Sequence, residues 1–326
     1  MQPTVKRQVE LRTGTPYANL NAAQARFAQT LGDQWHIDPN KIIPTFGATG
    51  AIEAVRNHVL KLSPKKQPAV LTVSPGYWRA RESFGGLGFE LIDIATEPNK
   101  FSINEEIVIE RAGEARPDLI YLSLPNNPTG EIFDPRKIVS GVPDETAILF
   151  DLTLPCRDLK VGELTREVCE SFKERSNLFL AGSTSKSHET AEYRVGWTVC
   201  ASQKDANELR GENRSGVSTF GIAEAIRCVV RPPTVLDNID RSFSFLEKGA
   251  GRKFAIVTPP RRVRTTYVLI ELLESPENVR KILDDSGIQV MWGSDFGLTD
   301  RHIRLETIEY PNIEIFVTAI NNGLDG

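Results

Sequence analysis

Several short segments of this chain carry residue types that could do chemistry together. Phe46–Val55 reads FGATGAIEAV, a Gly-x-x-Gly turn that opens a helix. Such a turn presents unpaired backbone N–H groups at the positive end of the helix dipole, so it can hold a phosphate. It is neither G-x-G-x-x-G nor a Walker loop, since Ala51 and Ile52 follow Gly50. Alone, a Gly turn before a helix is more often plain capping than a ligand site, and its value depends on company. SPGYW (74–78) sets Tyr77 just past one predicted strand, LPNNPTG (124–130) follows the next, and ILFD (148–151) ends a third on a carboxylate. STSK (183–186) then follows the run NLFLAG, and Arg194 comes soon after in YRVGW. In an open α/β sheet, ligands bind beyond the carboxyl ends of the strands. These pieces sit at such ends and can converge on one pocket.

The elements that must position them are short β-branched runs alternating with stretches of helical period, the pattern of βαβ units around a mostly parallel sheet. Strands are predicted at 68–74, 89–94, 118–124, 146–152, 177–182 and 196–201, with helices at 50–62 and 163–175. From about Ser218 the pattern changes. A long helix through Glu224 and Arg227 and a second ending near Leu246 lead to YVLIELL, a helical VRKILDDSG and the strand-like GIQVMW and HIRLET. The chain therefore reads as an α/β protein: an N-terminal arm over 1–30, a large sheet domain over 31–235 and a smaller α+β domain over 236–326.

Composition narrows the function. Of 326 residues, 39 are Lys or Arg and 43 Asp or Glu, a net charge of −4 that argues against a protein built to neutralise nucleic-acid phosphates. Cys156, Cys169, Cys200 and Cys228 form no C-x-x-C pair and the four histidines no metal-binding spacing, so no metal is expected. No stretch approaches the ~20 apolar residues that span a bilayer, and the opening MQPTVKRQVELRTG lacks a secretory core. The expected compartment is the cytoplasm. TPPRRVR (258–264) groups Arg261, Arg262 and Arg264, a phosphate patch or, as the negative net charge favours, a solvated turn.

In order and spacing, GATGA, P-x-Y, NNPTG, FD, S-x-S-K with R-V-G, and HIRLET resemble the aminotransferase class I/II family of fold-type I pyridoxal phosphate enzymes, and within it the histidinol-phosphate aminotransferase-like branch. The resemblance runs from about Thr13 to the last helix. It implies that Lys186 forms a Schiff base with pyridoxal 5′-phosphate, its amine made nucleophilic by a pKa lowered in a partly desolvated cationic site. It gives Asp151 to the pyridinium nitrogen, Asn127 to the phenolic oxygen and Tyr77 to the ring face. Ala48, Thr49, Ser183, Ser185 and Arg194 go to the phosphate. Arg304, with Asn127 and Gly14, would contact the substrate, Arg304 by a bidentate clamp on its α-carboxylate. Arg301 reads better as a loop charge.

The implied activity is transfer of an α-amino group between an amino acid and a 2-oxo acid, by a homodimer, with no nucleic-acid or membrane partner. Two departures stand out. Family members carry a Tyr three residues after the pyridine-binding Asp, where this chain has Leu154. The segment before Gly47 is also short and offers only Tyr17 as the Tyr that a partner subunit usually lends. The first departure admits a non-transaminating enzyme such as a decarboxylase, eliminating lyase, cyclase or oxidase; an inactive cofactor-binding regulator is a further alternative. His188 and Glu189 could approach the substrate or merely turn the loop, and Ser218 or Thr219 could reach a phosphate across a dimer or cap a helix.

Overall fold

A computed structural model describes residues 18–96, 101–213, 216–251 and 253–323. Gly14 and Tyr17 lie outside these residues. β1 (Ile42–Phe46), β2 (Ala69–Ser74), β3 (Glu90–Ala95), β4 (Leu119–Ser123), β5 (Ala147–Asp151), β6 (Leu178–Ser183) and β7 (Val195–Cys200) form one sheet. Its order is β1-β7-β6-β5-β4-β2-β3. The run from β6 to β3 is parallel, and β7 lies antiparallel to both its neighbours.

Period-two alternation divides each central strand between two apolar layers. Ile148 and Phe150 enter one and Ala147 and Leu149 the other. Covered on both faces, these strands read as continuous apolar runs. The edge strand β3 instead alternates and keeps Glu90 exposed. Helix α1 (Ala18–Trp35) lays Phe27, Ala28 and Leu31 on the first layer; α2 (Gly47–Leu62) lays Ile52, Val55 and Val59 on the second. Each fully buried Leu, Ile or Phe contributes roughly 1.5–3 kcal/mol. α1 runs unbroken through the position where an arm was expected to give way to the domain.

The later part folds around β8 (Phe254–Ile256), β9 (Tyr267–Leu272), β10 (Met291–Trp292) and β11 (His302–Glu306), antiparallel in the order β10-β11-β9-β8. Helices Leu236–Gly249, Pro276–Asp285 and Tyr310–Gly323 cover one face, packing Phe243, Leu283 and Phe316 against Val268, Ile270, Ile303 and Leu305. The other face, carrying Tyr267, Arg304 and Glu306, turns toward the seven-stranded sheet.

The arginine cluster is neither a phosphate patch nor a solvated turn. The Arg261 backbone N–H donates to Glu131 Oε2 at 3.0 Å and its Nε to Oε1 at 3.2 Å, and its fork also reaches Glu105. Arg264 pairs with Glu247 at 2.8 Å. Glu131 is fully buried, so its charge requires this partner. Arg261 ties the loop after β4 to the segment before β9, while Arg262 and Arg264 pair with Glu247 on the helix Leu236–Gly249. Among the described residues no helix is long and apolar enough to cross a membrane.

Candidate active site

The site begins where β1 turns into α2. Gly47 sits at φ +64°, and a Cβ there would stand 2.7 Å from Arg194 Nη2. Glycine is required both for the left-handed turn and for the approach of the guanidinium. Gly196 has the complementary role: a Cβ would lie 2.5 Å from the Gly47 carbonyl carbon, so its absence lets the start of α2 settle onto β7. No side chain caps α2. Arg194 lies over the Phe46 ring, and among the described residues it has no carboxylate within ion-pair distance; its Nη1 donates only to the Ala191 carbonyl, at 3.1 Å. An uncapped helix start beside an unpaired guanidinium is chemistry suited to an anion.

Two loops are stapled together at the ends of β2 and β4. Asn126, fully buried, donates from Nδ2 to the Pro75 carbonyl at 3.1 Å and to Thr129 Oγ1 at 3.0 Å. The Asn127 backbone N–H donates to Ser123 Oγ at 3.0 Å. With its backbone held, Asn127 lines the cavity together with Tyr77.

Asp151, the last residue of β5, stands at the back. Its Oδ2 accepts from the Tyr121 hydroxyl at 2.9 Å, and its Oδ1 accepts from the Thr153 backbone N–H at 3.0 Å and from the Thr153 hydroxyl. Burial pushes its pKa above the ordinary carboxylate range, and these hydrogen bonds only partly oppose that. No cation pairs with it among the described residues.

Lys186 follows β6 in the short turn Thr184–Ser187. Ala48, Tyr77, Ser123, Asn127, Asp151 and Lys186 line one cavity, closed by Thr153, Leu154 and Tyr267. Lys186 Nζ donates to Glu306 Oε1 at 2.6 Å and lies 5.2 Å from the Tyr267 ring centroid. The expectation of a lowered amine pKa is corrected here. Burial does favour the neutral amine, but Tyr267 and the Glu306 carboxylate outweigh it, and the pKa is raised. Arg304 Nη1 donates to Asn127 Oδ1 at 3.3 Å, and its guanidinium lies 4.0 Å over the Tyr267 ring. Burial lowers its pKa, and no carboxylate is within ion-pair distance of it among the described residues.

The remaining expected residues fall around this centre. Thr49 is exposed in the first turn of α2, and Ser185 is half-buried beside Lys186. Ser183 lines a neighbouring larger cavity with Thr184 and His188. His188 contacts Ser187 Oγ at 2.8 Å, Ser218 caps its helix by accepting from the Gly221 N–H at 2.8 Å, and Arg301 bonds the Leu272 carbonyl. His58, Asp205 and Glu208 bring donor atoms within 4.8 Å of one another where α2 meets the helix Gln203–Glu212, sharing no residue with the cavity. Tyr121, Tyr267 and Glu306 are given no role in the sequence reading. Glu306 lies inside HIRLET, Tyr267 opens YVLIELL and Tyr121 lies in the strand predicted at 118–124.

Residues 5–320 match the family described as Aminotransferase class I and II. The chain is 29% identical over 141 residues to a dihydroxyacetone phosphate transaminase of Campylobacter jejuni, covering 42% of this chain and 37% of that one. It is 23% identical over 234 residues to a histidinol-phosphate aminotransferase of Sulfurisphaera tokodaii, covering 69% and 62%. An L-serine phosphate decarboxylase of Campylobacter jejuni is 25% identical over 298 residues, covering 85% and 73%. The chain thus spans less than two thirds of the first two relatives. In fold it resembles the histidinol-phosphate aminotransferase from Clostridium acetobutylicum, with a TM-score of 0.75 at 18% identity over 93% of this chain and 90% of that one. The corresponding enzyme from Sinorhizobium meliloti, solved in complex with pyridoxal-5′-phosphate, gives 0.73 at 19% identity over 93% and 82%.

Proposed function

This chain belongs to the aminotransferase class I and II family, and we propose that it is a pyridoxal phosphate enzyme moving an α-amino group between an amino acid and a 2-oxo acid. The observation that carries the reading is the gathering of Lys186, Asp151, Asn127 and Tyr77 in one cavity beneath Arg304.

The residues fit the cofactor's chemistry. Asp151 is a buried carboxylate served only by neutral donors, and a protonated ring nitrogen would complete it. The uncapped start of α2 with Arg194 suits a phosphate, Asn127 would donate to the phenolic oxygen, and Tyr77 would lie against the ring. Thr49, Ser183 and Ser185 would add hydroxyls, and Lys186 would hold the cofactor covalently through Nζ. When bound, pyridoxal phosphate supplies a sink for the electron pair left on the substrate's α carbon. Arg304 would grip the α-carboxylate with two parallel N–H groups and so fix the α carbon. Lys186 Nζ, freed from its covalent role, would take the α-proton and give it back. The reading includes a homodimer, checked by sedimentation.

The test is to incubate the cofactor-loaded protein with amino acids and analyse the products. Phosphorylated amino acids belong in the set, because the matched relatives are named for phosphate-bearing compounds. Pyridoxamine phosphate with a matching 2-oxo acid is expected. Carbon dioxide, ammonia or peroxide without pyridoxamine phosphate overturns it. Leu154 in the cavity wall and the decarboxylase among the relatives support a second reading, decarboxylation, whose signature is carbon dioxide with an amine product.

A further inference from the structure

Three residues past Asp151 stands Leu154, so that part of the cavity wall is carbon. A tyrosine nevertheless joins the same lining from the four-stranded sheet. Tyr267 opens β9 directly across from Glu306 on β11, with Arg304 across from Leu269. Strand alternation puts Tyr267, Arg304 and Glu306 on one face, while Val268, Ile303 and Leu305 turn into the apolar core. The Tyr267 ring supports the Arg304 guanidinium at 4.0 Å, and its centroid lies 5.2 Å from Lys186 Nζ in the cavity that both residues line.

We infer that Tyr267, brought up by the four-stranded sheet, is the positioning residue for the Lys186 amine. This rests on Lys186 being the cofactor lysine. A phenol suits the task because it accepts from an ammonium and donates to a free amine, holding Nζ in either state. Glu306, ionised, can only accept. Since Arg304 stacks on the same ring, a carboxylate drawn to Arg304 acts on the residue that orients Lys186.

Two profiles test this: acylation of Lys186 against pH in the cofactor-free protein, read by peptide mass, and absorbance against pH in the loaded protein. The charged and titratable groups around Lys186 are Glu306 and Tyr267, then Asp151, Tyr77 and Arg304. Tyr267→Phe keeps the ring under Arg304 but removes the acceptor, so the free amine becomes more populated. One pKa unit is about tenfold in free amine, and we expect labelling at pH 8 to rise by about three- to tenfold and the absorbance midpoint to move. If both Tyr267→Phe profiles superimpose on wild type, the phenol is only packing and the inference is wrong. If borohydride traps no cofactor on wild-type Lys186, the enzyme reading falls, while the acylation profile still decides whether Tyr267 governs the amine.

Discussion

The two sheets approach one cavity with different physics. At the carboxyl ends of the seven-stranded sheet the polar groups are buried and tied by neutral hydrogen bonds: Asp151 by Tyr121 and Thr153, Asn127 by Ser123. The four-stranded sheet brings charge that is half-buried or exposed: Arg304 without a carboxylate, and Glu306 paired across the gap to Lys186. The first is a preformed recess, its hydrogen bonds already made, suited to a rigid planar group. The second holds its charges for something that arrives, and its present contacts are ones an incoming anion could displace.

Lys186 belongs to both regions, so its loss tests the comparison most severely. Lys186→Ala should reduce turnover by ~10⁴-fold or more, as removal of a covalent nucleophile does, and abolish borohydride trapping of the cofactor. Activity that survived would break the assignment of both regions.

Asp151→Asn probes the recess alone. A rate loss of about 10²–10³-fold is expected for removing a preorganised charge. Stability should move the other way. Burial raises the Asp151 pKa in the folded state, so in the cofactor-free protein its contribution is fully present below the unfolded pKa and is lost as pH rises through the folded one. Asp151→Asn should therefore melt higher than wild type at neutral pH, with the difference vanishing in acid. A variant less stable at neutral pH would mean that the ionised carboxylate is already compensated.

Arg304→Gln probes the arriving side. Losing a charge-assisted pair costs about 1.5–3 kcal/mol, so KM for the amino acid should rise by roughly 10- to 100-fold. The absorbance of the bound cofactor should stay unchanged. A shifted spectrum with little change in KM would place Arg304 with the recess instead.

The recess was far more legible in the sequence than the opposing face, for a physical reason. Tyr77, Asn127, Asp151 and Lys186 each follow an apolar run, and the rule that ligands gather at carboxyl strand ends needs only those runs. Tyr267 and Glu306 acquire meaning by facing a residue of another sheet, 81 and 120 positions away from Lys186 respectively, and nothing local marks that. β1 escaped because Pro44 sits inside it; the strand tolerates proline as an edge of the sheet. Arg261 looked like a solvated charge until folding set it against the buried Glu131.

The smallest effect separates the two faces most finely. Glu306→Gln removes the carboxylate that holds the Lys186 ammonium at 2.6 Å, so the amine pKa should fall and more of the nucleophilic form should be present. The Glu306 side chain is 48% exposed, which weakens the pair by solvent screening. We expect covalent loading of pyridoxal phosphate at pH 8 to quicken by only about two- to fivefold. Added salt should quicken loading of the wild type toward the variant's rate by screening the same pair, leaving the variant comparatively insensitive. Slower loading by Glu306→Gln would mean that Glu306 acts as a base toward Lys186, and the four-stranded face would then take part in the chemistry as well as in binding.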